Sequence, residues 1–136
     1  MDTPRKPEQS RPRREASRYR LPDTRRSIVH KFSVAGHKGY LRCSVYEDGA
    51  LGEVFIELSK SGSFVSGITD AFATLLSISL QSGVKLEAIA DKFIGARFEP
   101  DGVTTNPDIP SATSIIDYIF RYLVLRFGEE ARKKAQ

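Results

Sequence analysis

Two short polar segments carry residue types that bind phosphates or other polar ligands. The first contains Gly62, Ser63, Ser66 and Gly67 and stands directly before an apolar stretch. Free backbone N–H groups at a helix start can hold an anion, which makes this segment a candidate nucleotide site. The same residues also suit a plainer role, in which Ser63 or Ser66 caps the helix and the glycines form the entry turn. No lysine follows as in a Walker-type loop, so the capping interpretation is favoured.

The second candidate segment is residues 97–110, which contain three prolines and one glycine and are predicted to hold no regular element. Its polar candidates for binding a nucleotide or a protein partner are Arg97, Glu99, Thr104, Thr105, Asn106 and Asp108. An alternative is equally open. Arg97 and Glu99 can form an ion pair that fixes the loop, and Asn106 and Asp108 can form turns next to prolines.

The histidines and the single cysteine are the remaining residues that could do chemistry. His30 falls on the apolar face of a predicted strand, where a packed, hydrogen-bonded histidine is favoured over a catalytic one. His37 falls in a predicted turn and is expected to be exposed. The two histidines could share a metal ion, but no third ligand is evident, so we predict no metal site. Cys43 is expected to be a small core residue, and we predict no catalytic residue.

Basic charge is concentrated at the start of the chain. Residues 1–26 hold nine Lys/Arg and four Asp/Glu, whereas the remainder of the 136 residues is nearly neutral. Residues 1–20 are predicted to be a disordered basic leader, since they offer almost nothing apolar to bury. The leader suits either an arm for nucleic acid or a solvated tail, and the tail is favoured because no aromatic residues alternate with the charges. Residues 129–136 are predicted to be a charged tail.

Composition narrows the class of protein. With 40% hydrophobic residues, the chain suits one domain with one modest core. One cysteine excludes an internal disulfide, and no signal peptide is evident, so a cytoplasmic location is expected. No stretch reaches the roughly 18 apolar residues of a membrane span, so no membrane association is expected.

Alternating apolar residues predict three short strands, over residues 27–35, 40–47 and 53–58. Residues 36–39 and the pair Asp48-Gly49 are predicted to be the connecting turns. Strands joined by such short turns form an antiparallel meander with one buried face.

The period then changes to that of helices. Residues 68–80 are apolar or small on every side, which predicts a buried helix too short to span a bilayer. Residues 86–93 predict a short amphipathic helix, and a last helix is expected from a Ser111 cap to Phe127. Tyr118, Tyr122 and Leu125 widen the apolar surface of the last helix beyond what one sheet needs, so part of this surface is expected to face a partner. The predicted fold is α+β, a three-stranded antiparallel meander packed against about three helices.

Ten short motifs in order resemble one known family. They lie at residues 21–28, 30–32, 35–40, 46–49, 52–56, 67–72, 91–93, 97–100, 106–110 and 114–121. They are similar to the segment that follows the catalytic barrel in adenosylcobalamin-dependent (class II) ribonucleotide reductases, the TSCPD domain. The resemblance covers residues 21–128, nearly all of the foldable chain.

What the resemblance implies is limited by a departure from the family motif. Asn106 stands where Thr-Ser-Cys-Pro-Asp has its cysteine, and the barrel, the reducing cysteines and the cobalamin pocket have no counterpart here. The expected role is therefore a stand-alone accessory or regulatory domain in deoxyribonucleotide synthesis, whose partner is a reductase or a nucleotide. It is not expected to be catalytic alone, and adenosylcobalamin is expected only through the parent family.

Two alternatives of other classes stay open. One is a nucleic-acid-binding protein that uses the basic leader as an arm. The other is a self-associating module that forms homo-oligomers through exposed strand edges or the last helix.

Overall fold

Three antiparallel strands form a meander in the order β1-β2-β3 in the computed structural model, which describes residues 17–135. The strands are β1 (Arg26–Val34), β2 (His37–Val45) and β3 (Leu51–Leu58). This confirms the predicted α+β class and the meander. The turn predicted at residues 36–39 is wrong, because β2 already begins at His37. Ala35 and Gly36 have φ angles of 49° and 82°, and two such residues close a hairpin by themselves.

One face of the sheet forms the core and the other faces outward, as the alternation predicts. Phe32, Leu41, Cys43 and Val54 are at most 1% exposed on the inner face. The outer face carries polar and aromatic side chains, and neighbouring positions on β2 and β3 pair there in antiparallel register, with Arg42 opposite Phe55.

The first helix, α1 (Ser63–Gln81), lies along the edge of β3. The Ser77 hydroxyl accepts a hydrogen bond from the Val54 N–H at 2.9 Å, and its oxygen lies 3.2 Å from the Val54 carbonyl oxygen. The Gln81 side-chain amide donates to the Gly52 carbonyl at 2.9 Å. Side chains of α1 thus occupy backbone groups that a fourth strand would otherwise use, and this edge of the sheet is closed to another strand.

The burial predicted for α1 is wrong. Phe64, Ile68 and Leu75 are 78%, 57% and 65% exposed, because only the opposite side of the helix packs on the sheet. The helix begins five residues earlier than predicted, so by length and apolar composition it could cross a membrane. The hydrogen bonds of Ser77 and Gln81 to β3 instead make it an element of the folded domain.

The second helical layer contains α2 (Leu86–Phe93), α3 (Ile115–Phe127) and α4 (Glu129–Ala135). The cap of α3 is Ser114 and not Ser111, since the Ser114 hydroxyl accepts from the Asp117 N–H at 2.9 Å. Tyr118 and Tyr122 are 0% and 8% exposed, so these two residues belong to the core and not to the part of the helix that a partner could reach. Leu125 is 52% exposed, as expected.

Residues 97–110 hold more structure than predicted. The short strand β4 (Gly102–Val103) pairs with β5 (Ser111–Ala112). Thr104 bridges to Val34 at the end of β1, and the Ala35 N–H donates to the Val103 carbonyl at 2.8 Å. The prolines limit each paired segment to two residues without preventing pairing.

The parts of the two predicted terminal segments, 1–20 and 129–136, that the structure describes both contain regular contacts or helix. Residues 1–16 of the predicted leader lie outside the described residues. The next part of the leader contacts the end of α1, where the Arg18 side chain and the Tyr19 N–H bond to Gln81 at 2.7 and 3.0 Å. The predicted charged tail is the helix α4 over most of its length, with acidic residues in its first turn and basic residues in its last.

Candidate functional site

The start of α1 and the start of the long loop lie on opposite sides of one apolar groove. The groove has a volume of about 540 Å³. Its walls are mostly aliphatic and aromatic, including Phe64, Val65, Ile68, Phe93, Phe98, Pro100 and Ile116, and Glu99 is its one ionisable lining residue. Of the predicted site residues only Glu99 lines this groove, which suits an apolar occupant better than a phosphate.

The polar residues at the start of α1 do not form the predicted arrangement. Gly62 is the N-cap, and no side chain caps the helix, so the expected capping by Ser63 or Ser66 is wrong. Ser66 instead lines a cleft on the other side of α1. A Cβ atom added to Gly67 would meet no heavy atom within 4 Å, so this glycine opens to the outside of the described fold.

The polar residues of the loop fall into two groups, one around Arg97 and the other in the turn at Asn106. Arg97 pairs with Asp101 at 3.4 Å and not with Glu99, so the predicted Arg97–Glu99 pair is wrong. Asn106 forms the expected turn, in which its Oδ1 accepts from the Asp108 N–H at 2.9 Å. Thr105 is exposed on the same turn.

Asn106 also joins a polar network that ends at His30. The Asn106 side-chain amide lies 3.1 Å from the Tyr118 hydroxyl, which lies 2.7 Å from Nε2 of His30. The imidazole stacks on Tyr122 with a ring separation of 3.9 Å. Burial lowers the pKa of His30, and the positive charge of Arg126 lowers it further. The lowered pKa favours the neutral imidazole, and its contact with the Tyr118 hydroxyl confirms the packed, hydrogen-bonded histidine.

The thiol of Cys43 is inaccessible. The residue is 0% exposed, and burial raises its pKa to about 12. Because the thiolate is the reactive form of cysteine, this side chain is a core residue, as predicted. Within residues 17–135 there is no group of three side chains placed to hold a metal ion.

A second cleft lies between the outer face of the sheet and α1. It has a volume of about 400 Å³, and its lining includes Tyr40, Arg42, Phe55, Glu57, Ser66 and Asp70. The Arg42 guanidinium carbon lies 4.4 Å from the centre of the Phe55 ring, a cation–π contact. The alternating pattern places Tyr40, Arg42 and Phe55 outward, but only the register brings the ring and the cation together.

The two clefts differ in the groups that line them. The cleft on the sheet combines aromatic surface with a guanidinium and carboxylates, and the groove offers apolar surface. The buried acid Asp117 has a structural task, accepting from the Gly95 and Thr113 N–H groups at 2.7 and 3.0 Å and pairing with Arg121.

Comparison with known proteins agrees with the motifs. Residues 12–126 match the TSCPD domain family. A vitamin B12-dependent ribonucleotide reductase of Rhodopirellula baltica is 55% identical over 117 residues, which are 86% of this chain and 11% of that protein. Its counterpart in Streptantibioticus cattleyicolor is 49% identical over 81% of this chain and 18% of its own length. A third, from Bradyrhizobium diazoefficiens, is 44% identical over 81% of this chain and 9% of its own length.

The chain thus spans between a tenth and a fifth of the length of the first relatives it matches. No solved structure matches it. Because the family match covers all three strands, α1, α2 and nearly all of α3, the chain belongs to the TSCPD domain family and is related to a domain of vitamin B12-dependent ribonucleotide reductases.

Proposed function

We propose that this chain is an accessory or regulatory domain in ribonucleotide reduction, which binds a reductase and does not catalyse the reaction by itself. The observation that carries the proposal is the 55% identity to about a tenth of a reductase. A segment that makes up so small a share of a large enzyme serves that enzyme by contact more readily than by independent chemistry. A cytoplasmic location and a part in supplying DNA synthesis belong to the same proposal.

The thiol chemistry of this chain supports a non-catalytic role. Reduction by protein thiols oxidises two of them to a disulfide, which is a two-electron step. Cys43 is the one cysteine in the sequence, and its thiol is buried and protonated. This chain therefore has no dithiol with which to reduce a substrate.

The residues described here do not fit the corrinoid cofactor named for the relatives. An imidazole is the side chain best suited to coordinate cobalt. Nε2 of His30, however, is hydrogen-bonded to the Tyr118 hydroxyl, and the ring is stacked on Tyr122. His37 is exposed on the hairpin and borders an open cleft of about 390 Å³ that only five residues line, so nothing encloses a corrinoid there. In this proposal adenosylcobalamin belongs to the reductase alone.

We assign the contact with the reductase to the cleft on the outer sheet face. Its aromatic rings supply apolar area, and Arg42, Glu57 and Asp70 supply charges that fix orientation. None of these three takes part in an ion pair within residues 17–135, so their charges are available to a partner. A nucleotide is the second ligand that such aromatic and charged groups would accept.

A binding and turnover experiment tests the proposal. The full chain is added to a purified vitamin B12-dependent ribonucleotide reductase, with and without deoxynucleotides, and binding is measured by surface plasmon resonance beside the rate of deoxynucleotide formation. We expect saturable binding together with a changed rate. Arg42→Glu should weaken binding at least about tenfold, since one charge reversal in an interface costs over 1 kcal/mol.

The control variant is Lys92→Glu, which reverses an exposed charge on α2, away from the cleft. It should bind like the unaltered chain. A chain that neither binds the reductase nor alters its rate, under any nucleotide condition, contradicts the proposal. Deoxynucleotide formation by the chain alone would contradict it as well.

A further inference from the structure

One side of α1 carries an apolar stripe that the described fold leaves uncovered. Phe64, Ile68, Ala71 and Leu75 follow one another at spacings of four, three and four residues. The three large members are 78%, 57% and 65% exposed, and Ala71 is exposed too. This spacing places all four on one line along the helix, the spacing by which two helices pack side by side.

Within α1 the stripe and its flanking positions are free of charge, and Glu99 of the long loop is the one ionisable residue in the groove beside Phe64 and Ile68. Asp70 is the one charged residue in α1, and it lines the clefts between the helix and the sheet, away from the stripe. The flanking positions hold Val65, Gly67, Phe72 and Thr74. Two copies of this surface can therefore face each other without like-charge repulsion, and nothing on it selects a partner of opposite charge.

We propose that a second copy of this chain covers the stripe, with the two α1 helices packed antiparallel about a two-fold axis. An axis between Thr69 and Asp70 pairs Phe64 with Leu75 of the second copy. The same axis pairs Ile68 with Ala71 of the second copy. The spacing of four, three and four residues is that of alternating d and a positions in a heptad. In an antiparallel pair each d residue packs against an a residue of the other helix, so the surface is complementary to itself.

Side-chain sizes in these layers support this register. Ile68 meets the small Ala71 near the axis, where the helices approach most closely, and the larger Phe64–Leu75 layers lie outside it. Gly67 lies beside the same layer and opens outward. A glycine inside a helix costs about 0.5–1 kcal/mol relative to alanine, and no contact of the described fold explains it. The close approach of a second helix would explain why a glycine stands at this position.

The exposed area is sufficient for such a dimer. A large apolar or aromatic side chain has on the order of 150–250 Å² of surface, so the exposed parts of Phe64, Val65, Ile68 and Leu75 come to roughly 450 Å² per copy. Pairing two copies, with their flanks, buries on the order of 1,000 Å², near the lower bound for specific interfaces. A dimer in the micromolar range is the expected result.

Analytical ultracentrifugation of the full chain, over about 1 µM to 1 mM, tests the proposal. We expect a monomer–dimer equilibrium. Ile68→Glu and Leu75→Glu should each raise the dimer dissociation constant at least about 100-fold, because each buries two unpaired charges per dimer. Leu125→Glu alters an apolar residue on α3 that is similarly exposed, and it should leave the equilibrium unchanged. Circular dichroism shows that each variant remains folded.

A charge-pairing experiment tests the register. Phe64→Lys and Leu75→Glu chains should each be monomers alone, and mixed in equal amounts they should form a heterodimer, since one layer then holds a Lys–Glu pair and the other stays apolar. A monomer up to 1 mM overturns the proposal, as does a dimer that Ile68→Glu and Leu75→Glu leave intact. A monomer that still binds the reductase overturns this inference alone and leaves the proposed function standing.

Discussion

The Nε2 atom of His30 lies 2.7 Å from the hydroxyl oxygen of Tyr118, which joins the first strand to the last long helix. The same hydroxyl receives the side-chain amide of Asn106 at 3.1 Å. Asn106 occupies the position where the family motif has its cysteine. In this chain the position thus supplies a hydrogen-bond donor to a part-buried network.

Stability should fall in mild acid because of His30. Its pKa is lowered in the folded state, chiefly by burial, so the unfolded chain binds a proton more readily below its ordinary value of 6.5. Stability is therefore complete above about pH 6.5 and is lost as the pH falls toward the folded-state pKa. Urea unfolding at pH 8.0, 6.5 and 5.5 measures the loss. In His30→Gln the slope between these pH values should flatten, and an unchanged slope would assign the effect to other groups.

Tyr118→Phe should cost about 1–3 kcal/mol of the free energy of unfolding. The change removes two part-buried hydrogen bonds, to His30 and to Asn106, and each such bond contributes about 0.5–1.5 kcal/mol. Tyr40→Phe is the matched control, since Tyr40 points out of the sheet and should change stability by less than about 0.5 kcal/mol. Urea denaturation at pH 8 compares the two. Equal effects would contradict a role for the network.

Ser77→Ala should destabilise the chain by about 1–3 kcal/mol, because it leaves the Val54 N–H at the sheet edge without a partner. Ser79→Ala removes a hydroxyl from the same helix whose hydrogen bond goes only to the Leu75 carbonyl of that helix. That control should be nearly neutral. Amide hydrogen exchange adds a local measurement: exchange at Val54 should accelerate in Ser77→Ala and stay unchanged in Ser79→Ala.

Asp117→Asn should cost about 2–3 kcal/mol, the amount typical of hydrogen bonds to a charged group. Burial alone would raise the pKa of Asp117, but the Thr113 and Gly95 N–H groups and the Arg121 guanidinium outweigh it and lower the pKa below 3.8. The stabilisation is therefore present above pH 3.8 and is lost as the pH falls through the folded-state pKa. Thermal unfolding at pH 7 measures the cost, with Asp91→Asn on the exposed side of α2 as the control. A similar loss in both variants would point to a general charge effect.

The predictions for the sheet succeeded because each strand has one buried face. Alternation alone places Leu41 and Cys43 inward and Arg42 outward, although β2 runs from His37 to Val45 and β3 begins at Leu51, two or three residues from the predicted boundaries. The prediction of a buried α1 failed because an apolar sequence shows which residues avoid water without showing what covers them. One side of α1 packs on β3, and Phe64 and Leu75 on the other side remain uncovered.

The candidate site was harder to predict, since it depends on distance in space. Both predicted segments contribute to one groove, but they do so through Phe64, Val65, Phe98 and Glu99, and of the predicted polar residues only Glu99 lines it. The Arg97 guanidinium pairs with Asp101, four residues further along, and not with Glu99, because the folded loop brings the Asp101 carboxylate to within 3.4 Å of it. The pairing of Arg42 with Phe55 depends on the register of β2 and β3, which no local pattern reveals.

By itself the sequence determined the α+β class, the meander, the family and the single cysteine, since these follow from local periodicity, composition and short motifs. Only the tertiary structure decided that Ser77 closes the sheet edge, that Asn106 reaches His30 through Tyr118, and that α1 keeps an exposed stripe. Those facts depend on which surfaces meet, and that is fixed by packing between residues far apart in the chain.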